Sequence, residues 1–275
     1  MNYSVILLLY FQIPIGLCSQ SIDLPKRPEL SLSGSDFAAS VIDYQLHDRE
    51  NAIYRQVISG NIPDFQRKFI PVSFHQSIDE HTYQVTYYVI PEYVSIGSDT
   101  DYFIMPMTPS LAGKLCDTIH CSLPTKKMVD QIWNSAEVKL EPSPIAPSPA
   151  MTTIPVMWQH NLIVREQRSA VIDQHPLGKL VSGNKKDVVI SNKIYINTPN
   201  NRVVIYGWHY TNGNPIQPLY NGHGANYVDY SHGIRLVYDT VIINGQPYSI
   251  ASILQHDTYH QLLSDEGKIL VPKYP

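Results

Sequence analysis

Charge is scarce in this sequence, and no part of the chain is strongly basic. Charged residues make up 16% of the 275 positions, the formal net charge is −4, and the lysines and arginines form no run. Proteins that bind nucleic acid or an anionic membrane surface usually carry a basic patch. The composition therefore predicts neither of these two classes of partner.

Familiar catalytic motifs are missing as well. The sequence contains no HExxH zinc motif and no nucleotide-binding glycine loop, and Ser231 does not stand in a GxSxG elbow. These absences disfavour a nucleotide-dependent enzyme and a serine hydrolase.

An apolar run at the N-terminus makes residues 1–18 typical of a secretory signal peptide. No Lys or Arg precedes the run, Pro14 interrupts it, and it is too short to span a membrane comfortably. We expect cleavage after Cys18 and a secreted or periplasmic protein without a membrane span. Acylation at Cys18 is the alternative, which Leu17 disfavours because a small residue is normally found there.

Cysteine is also rare. After cleavage only Cys116 and Cys121 remain, and an oxidising compartment would permit them to pair. A disulfide that closes so small a loop adds little stability, so it would be a local staple at most. His120 is the only basic neighbour in sequence, and we therefore expect structural cysteines rather than a catalytic thiol.

Hydrophobic periodicity predicts the secondary structure. Apolar residues spaced by three and four, together with capping residues, predict helices within 36–59, 108–120, 125–136, 160–172 and 255–267. Alternation and turn residues predict strands near 68–75, 82–90, 188–190, 193–196 and 203–206, and a hairpin closed by Asn244-Gly245. The expected fold class is α+β, with a mainly antiparallel sheet and helices concentrated in the N-terminal half.

Four prolines alternate with small residues between positions 142 and 150 and predict an extended strap. The strap would separate an N-terminal α+β lobe, residues 19–141, from a C-terminal β-rich lobe, residues 151–275. The alternative is a single domain over 19–275 with the strap on its surface.

Residues 206–238 hold the densest set of candidate functional side chains. The segment contains six tyrosines, five glycines and the histidines His209, His223 and His232. Strand ends and loops are where side chains converge on a cleft. We therefore predict that the functional site lies here.

One hypothesis for this segment is a metal site. His209, His223 and His232, with or without Asp229, would bind a zinc-like ion and leave a position open for a nucleophilic water. The His223-x5-Asp229 spacing is one residue shorter than the His-x6-Asp spacing of the peptidoglycan metallopeptidases that cut at D-alanine.

A second hypothesis needs no metal. A histidine would act as general base, while a tyrosine (Tyr227 or Tyr230) and Arg235 would handle the proton and the developing negative charge. The predicted catalytic residues are His223, Asp229, Tyr230, His232 and Arg235, and the predicted substrate-binding residues are Trp208, Gln217 and Tyr227. This set predicts a hydrolase or lyase that acts on a polysaccharide or cell-wall polymer.

The pattern Gly222-His223-Gly224 followed by Ser231-His232-Gly233-Ile234-Arg235 resembles the HG…SHGCxR signature of L,D-transpeptidases. Those enzymes attack with the cysteine after SHG, where this chain has Ile234. The resemblance covers one short segment and implies at most a related cell-wall scaffold without that nucleophile.

The non-catalytic alternative is a secreted carbohydrate-binding or surface-interaction protein whose tyrosines and Trp208 stack on sugar rings. Other segments offer weaker candidates. Asp99 and Asp101 could reach a site but more often cap turns. Lys185, Lys186 and Asp187 could neutralise an acidic substrate, but we expect a solvated turn. His256 and His260 could ligate one ion, but we expect an incidental pair.

Overall fold

The structure is a computed structural model that describes residues 20–196 and 201–275. The predicted signal peptide, with Cys18, lies outside the described residues. Among the described residues no helix combines the length and the apolar character needed to cross a membrane.

The helices begin at sequence-encoded caps. Thr108 Oγ1 accepts from the N–H of Leu111 ahead of Pro109, and Thr125 Oγ1 accepts from the N–H of Met128. These two starts confirm the predicted ones. The α-helices of the described residues are α1 (Gly34–Ser40), α2 (Leu46–Ile58), α3 (Pro109–Thr118), α4 (Lys126–Ser135), α5 (Ile154–Ser169), α6 (Ile250–Gln255) and α7 (His260–Leu263).

Most strands pair antiparallel. They are β1 (Ile70–Ile78), β2 (His81–Val89), β3 (Ser95–Gly97), β4 (Tyr102–Ile104), β5 (Cys121–Ser122), β6 (Val138–Lys139), β7 (Val181–Ser182), β8 (Lys186–Val188), β9 (Arg202–His209), β10 (Pro215–Gly224), β11 (His232–Gly233), β12 (Val237–Tyr238), β13 (Thr240–Ile243) and β14 (Gln246–Ser249). The main sheet has the order β14-β13-β2-β12-β5, with β1 also paired to β2. The α+β class with a mainly antiparallel sheet is confirmed.

A second sheet, β10-β9-β8-β11, carries most of the candidate functional residues. Its β11 strand pairs parallel to β8 and places His232 beside Lys186. In β9, Gly207 and Trp208 have consecutive positive φ angles of 102° and 57°. This left-handed step is one that a glycine permits and that a tryptophan adopts at a cost in free energy.

Strands from both sides of the proline-rich strap share one sheet and one core. β2 precedes the strap and pairs with β12 and β13, which follow it. The main buried apolar cluster likewise runs from Ile22 to Tyr274. The strap therefore does not separate two independent cores, and its Ile145 is held by Tyr230 through hydrogen bonds in both directions.

Several local predictions differ from the structure. Residues predicted as one helix over 36–59 form α1 and α2, and Ser33 caps α1. The predicted strand at 193–196 is wrong, because Asn192–Tyr195 forms a 3₁₀ helix. The side chain of Ser191 caps this helix by accepting a hydrogen bond from the N–H of Lys193. Helices α1 to α4 precede residue 138, and α5 to α7 follow it.

Candidate functional site

Five side chains meet where β8, β10 and β11 approach the surface: Lys186, His223, Tyr227, Asp229 and His232. We call them the histidine–tyrosine cluster. The ring of His223 stacks on Tyr227 with centroids 4.0 Å apart and 19° between planes. Tyr227 Oη donates to Asp229 Oδ2 at 2.9 Å, and the ring of His232 lies 5.8 Å from that of Tyr227.

The cluster runs from the surface to the interior. His223, Tyr227 and Lys186 are half-buried, Asp229 is 3% exposed and His232 is fully buried. Neither ring nitrogen of His232 has a hydrogen-bond partner among the described residues. A buried, unpartnered imidazole costs free energy.

The charge state of Asp229 is fixed by its neighbours. Burial would raise its pKa, but the attraction of His232, the hydrogen bonds from Ser231 and the ammonium of Lys186 together hold that pKa below its usual value. Burial lowers the pKa of His232 to about 4, so its imidazole is neutral at pH 7. At that pH, Ser231 and Lys186 are therefore the groups that keep Asp229 ionised.

Tyr227 is held in its protonated form. Burial and the adjacent Asp229 carboxylate raise the pKa of Tyr227 well above its usual value. Its hydroxyl group therefore keeps its proton and shares it with Asp229 Oδ2, while the half-buried imidazole of His223 lies against the Tyr227 ring.

Two predicted catalytic residues lie elsewhere. Tyr230 is 2% exposed, and its hydroxyl group is occupied on both sides by the backbone of Ile145. Arg235 is fully buried; its guanidinium group donates to Ile90 O at 3.1 Å and Val181 O at 2.8 Å. Tyr230 therefore binds the strap, and Arg235 binds backbone carbonyl groups in the core. Neither residue is part of the histidine–tyrosine cluster.

The predicted sugar platform at Trp208 does not exist in the structure. Trp208 is 3% exposed because the left-handed step in β9 turns its ring inward, where Lys186 Nζ lies 5.1 Å from its centroid. Gln217 is half-buried on β10, and its amide group donates to Pro218 O. Of the three predicted substrate-binding residues, only Tyr227 belongs to the cluster.

The three predicted metal ligands are not assembled as a ligand set. His209 is 3% exposed, and its Nε2 lies 3.1 Å from Asp130 Oδ1, with its ring stacked on Trp133. Asp130 also accepts from Tyr206 Oη at 2.8 Å. Within residues 20–196 and 201–275, no three His, Cys, Asp or Glu side chains are placed to hold a metal ion.

The prediction of a solvated turn at residues 185–187 is wrong. Lys185 is fully buried, with Nζ donating to Tyr230 O at 2.6 Å and to His160 Nδ1 at 3.0 Å. Burial lowers the pKa of Lys185 to about 7, against the opposing attraction of Asp229 and Glu92. Burial and the neighbouring Lys185 lower the pKa of His160 to about 2, so His160 is a neutral acceptor.

The weaker candidates have local structural roles. Asp101 accepts from the backbone and hydroxyl groups of Ser35, Asp99 accepts from the N–H of Phe65, and His256 Nδ1 accepts from two nearby backbone N–H groups. Cys116 and Cys121 are free, and burial raises the pKa of Cys121 to about 12. Both cysteines line a cavity of about 540 Å³ that is separate from the cluster.

A groove of about 490 Å³ adjoins the cluster at Tyr227. Three segments line it, 42–46, 152–154 and 226–228, together with Arg49. Tyr227 belongs both to the lining of this groove and to the cluster, so a molecule bound in the groove would contact Tyr227.

Sequence reasoning missed the contributions of Lys186, Lys185, His160 and Arg49. Only Arg49 gave a usable signal, because it occupies the same helical stripe as Ile53 and Val57 at intervals of four. A charged residue on an apolar stripe indicates a buried cation. The role of Lys186 depends on its parallel pairing with His232, which no local pattern encodes.

Comparisons of the chain with protein-family models, with curated proteins and with solved structures gave no match.

Proposed function

We propose that this protein is a secreted hydrolase or lyase that cleaves a polysaccharide or cell-wall polymer by proton transfer at the histidine–tyrosine cluster. The observation that carries the proposal is the contact series from half-exposed His223 through Tyr227 to ionised Asp229. It supplies a proton acceptor and a protonated donor side by side. Secretion rests on the sequence of residues 1–18.

The composition of the cluster favours elimination over hydrolysis. Most glycoside hydrolases use two carboxyl groups on either side of the scissile bond, whereas this cluster contains one, Asp229, which is already occupied by Tyr227 and Ser231. In elimination, a base removes a carbon-bound proton next to a carboxylate. The electron pair forms a carbon–carbon double bond, the glycosidic C–O bond breaks, and an acid protonates the leaving oxygen.

His223 has the role of base in this scheme, and Tyr227 that of acid. Asp229 keeps Tyr227 protonated and oriented, and Lys186 stabilises Asp229 in its ionised form. His232 is a positioning residue beneath Tyr227.

The test is cleavage of uronic-acid polymers and of peptidoglycan by the purified protein. Ultraviolet absorbance of the new double bond reports elimination, and reducing ends without that absorbance report hydrolysis. We expect His223→Ala and Tyr227→Phe each to lower turnover by roughly 10²–10⁴-fold. The matched controls His75→Ala and Tyr210→Phe change exposed residues away from the cluster and should retain activity.

Absence of cleavage on every polymer, or full activity in both cluster variants, would overturn the proposal. The alternative is a non-catalytic carbohydrate-binding protein, which the two tyrosines on the groove favour, Tyr44 and Tyr227. Oligosaccharide binding by calorimetry without any turnover would support that alternative.

A further inference from the structure

Arg49 is a buried cation whose opposing charge, the neighbouring Glu50, attracts it without forming an ion pair. Arg49 is 6% exposed and forms no ion pair within 4 Å among the described residues. Its guanidinium group donates from Nη1 to Thr152 O at 3.0 Å, and its Nε has no hydrogen-bond partner. Removing a guanidinium group from water is costly unless an acceptor compensates it, and the groove that Arg49 lines is where such an acceptor could enter.

Two helices begin at the same groove. The N-cap residues Gln45 of the 13-residue α2 and Thr153 of the 16-residue α5 both line it, and neither provides a side-chain cap. The first N–H groups of an uncapped helix and the helix dipole both favour a negative charge. The groove therefore combines two helix N-termini with a buried guanidinium group that forms no ion pair within 4 Å and whose Nε lacks a hydrogen-bond partner among the described residues.

The acidic groups nearby are few and exposed or occupied. Asp43 lines the groove but is exposed, and Asp48 in the first turn of α2 is exposed as well. The carboxylate of Glu50 attracts Arg49, but its two oxygens accept from the backbone N–H and the hydroxyl group of Thr108 rather than from the guanidinium group. Solvent screens the first two charges more strongly than it screens the buried Arg49.

The groove is larger than a simple anion requires. Its volume is about 490 Å³, and Tyr44, Asn226 and Tyr227 provide ring surfaces and polar groups beside Arg49. A planar carboxylate fits the guanidinium fork, and a sugar ring fits a tyrosine face.

We infer that this groove binds the carboxylate of an acidic sugar unit, with Arg49 as its cation, and thereby positions an acidic polysaccharide against Tyr227. The inference rests on the proposed function, because it names the substrate class of that site. It also supplies what elimination needs, since a carboxylate held by Arg49 stabilises the negative charge that develops after proton removal.

The test measures binding rather than turnover. An oligogalacturonate and the same oligosaccharide with its carboxyl groups reduced to alcohols are titrated into the full chain by calorimetry. We expect the acidic form to bind at least about tenfold more tightly, as charge-assisted hydrogen bonds predict. Asn226→Asp places a negative charge in the groove and should abolish this preference, as should Arg49→Gln.

Asn214→Asp is the matched control, because it adds the same charge at an exposed turn outside the groove. It should leave the preference for the acidic form intact. If Arg49→Gln fails to fold, the comparison of Asn226→Asp with Asn214→Asp decides the matter.

The outcomes separate this inference from the proposed function. Equal binding of the two oligosaccharides, or equal effects of the two Asn→Asp variants, would overturn the inference even if the protein cleaves a neutral polymer. Selective binding of the acidic form without cleavage of any polymer would support the inference and count against the enzymatic proposal.

Discussion

Two groups of polar side chains share the neighbouring positions 185–187 and differ in their access to solvent. The histidine–tyrosine cluster has half-exposed members. The buried polar cluster, which we define as Tyr93, His160, Lys185, Asp187 and Arg235, is closed to solvent, with each side chain at most 3% exposed. Both contain cations, acids and aromatic rings, so residue type alone does not distinguish a proposed functional site from a structural cluster.

The two clusters also differ in the groups that their cations contact, although each contains buried nitrogens without a hydrogen-bond partner among the described residues, and in the buried polar cluster these are His160 Nε2 and Arg235 Nε. In the buried polar cluster, Tyr93 Oη donates to Asp187, and Arg235 and Lys185 donate to backbone carbonyl groups. In the histidine–tyrosine cluster, both nitrogens of His232 lack partners and His223 makes a ring contact. Stability should therefore depend mainly on the buried polar cluster, and the proposed activity on the histidine–tyrosine cluster.

The largest expected effect on stability is that of Arg235→Met. It removes donors from Ile90 O and Val181 O and leaves Asp187, whose Oδ1 lies 4.0 Å from Arg235 Nε, without its nearest cation. Breaking a buried pair in this way costs about 3–5 kcal/mol. Denaturant unfolding should show this loss.

Arg165→Met is the control for that experiment, since Arg165 forms a half-exposed pair with Asp101. We expect a loss below about 1 kcal/mol for this variant. Equal losses in the two variants would contradict the contrast between buried and accessible charges.

The buried Lys185 should make stability depend on pH. Its pKa is about 7 in the folded protein against 10.5 for an ordinary lysine, so between these values the folded state binds fewer protons than the unfolded state. The free energy of unfolding should therefore rise with pH across this window, by something on the order of 3 kcal/mol. Below about pH 7 the lysine is protonated in both states, and the cost of burying its charge is fully present.

Unfolding measured from pH 7 to 10 in Lys185→Met should lack this rise. The exposed Lys26→Met is the control and should follow the wild-type curve. A Lys185→Met curve parallel to the wild type would show that Lys185 does not titrate in this window.

A matched pair of glycines tests the packing beneath the cluster. A Cβ added at Gly233 would lie 2.6 Å from the Tyr93 ring and 2.8 Å from the Cβ of Lys185, whereas one added at Gly224 meets nothing within 4 Å. We expect Gly233→Ala to cost about 1–3 kcal/mol and Gly224→Ala less than about 0.5 kcal/mol. Thermal unfolding of the two variants checks this difference. Similar losses of stability would indicate that Tyr93 and Lys185 move to accommodate the methyl group at position 233.

Local signals in the sequence predicted the elements better than the site. Thr108, Thr125 and the Asn244-Gly245 turn encode their own geometry, and the structure confirms all three. The candidates predicted within 206–238 separate in the structure: His223, Tyr227, Asp229 and His232 lie in the histidine–tyrosine cluster, Arg235 lies in the buried polar cluster, and Trp208, His209, Gln217 and Tyr230 lie in neither. That division depends on the inward turn at Trp208 and on the parallel pairing of β8 with β11, and both are long-range features.

Arg49 shows where more could have been predicted. Its place on the apolar stripe of α2 was visible in the sequence, but the convergence of α2 and α5 on one groove required the tertiary structure. The interior position of Lys185 gave no local signal, because its neighbours in sequence, Gly183 to Asp187, have the composition of a turn.

The last comparison is between two histidines, and His223→Ala should have the smaller effect on stability. The half-exposed imidazole contributes mainly its stacking on Tyr227, so its loss should cost less than about 1 kcal/mol. His209→Ala should cost about 2 kcal/mol or more, because it removes a buried ring stacked on Trp133 and the partner of Asp130. Denaturant unfolding and the cleavage assay on both variants assign each histidine to the site or to the scaffold. Replacing a site residue lowers turnover with little loss of stability. Replacing a scaffold residue lowers stability with little direct effect on turnover. If His223→Ala destabilised the protein as much as His209→Ala, the stacked pair would belong to the scaffold and the two clusters would not differ in kind.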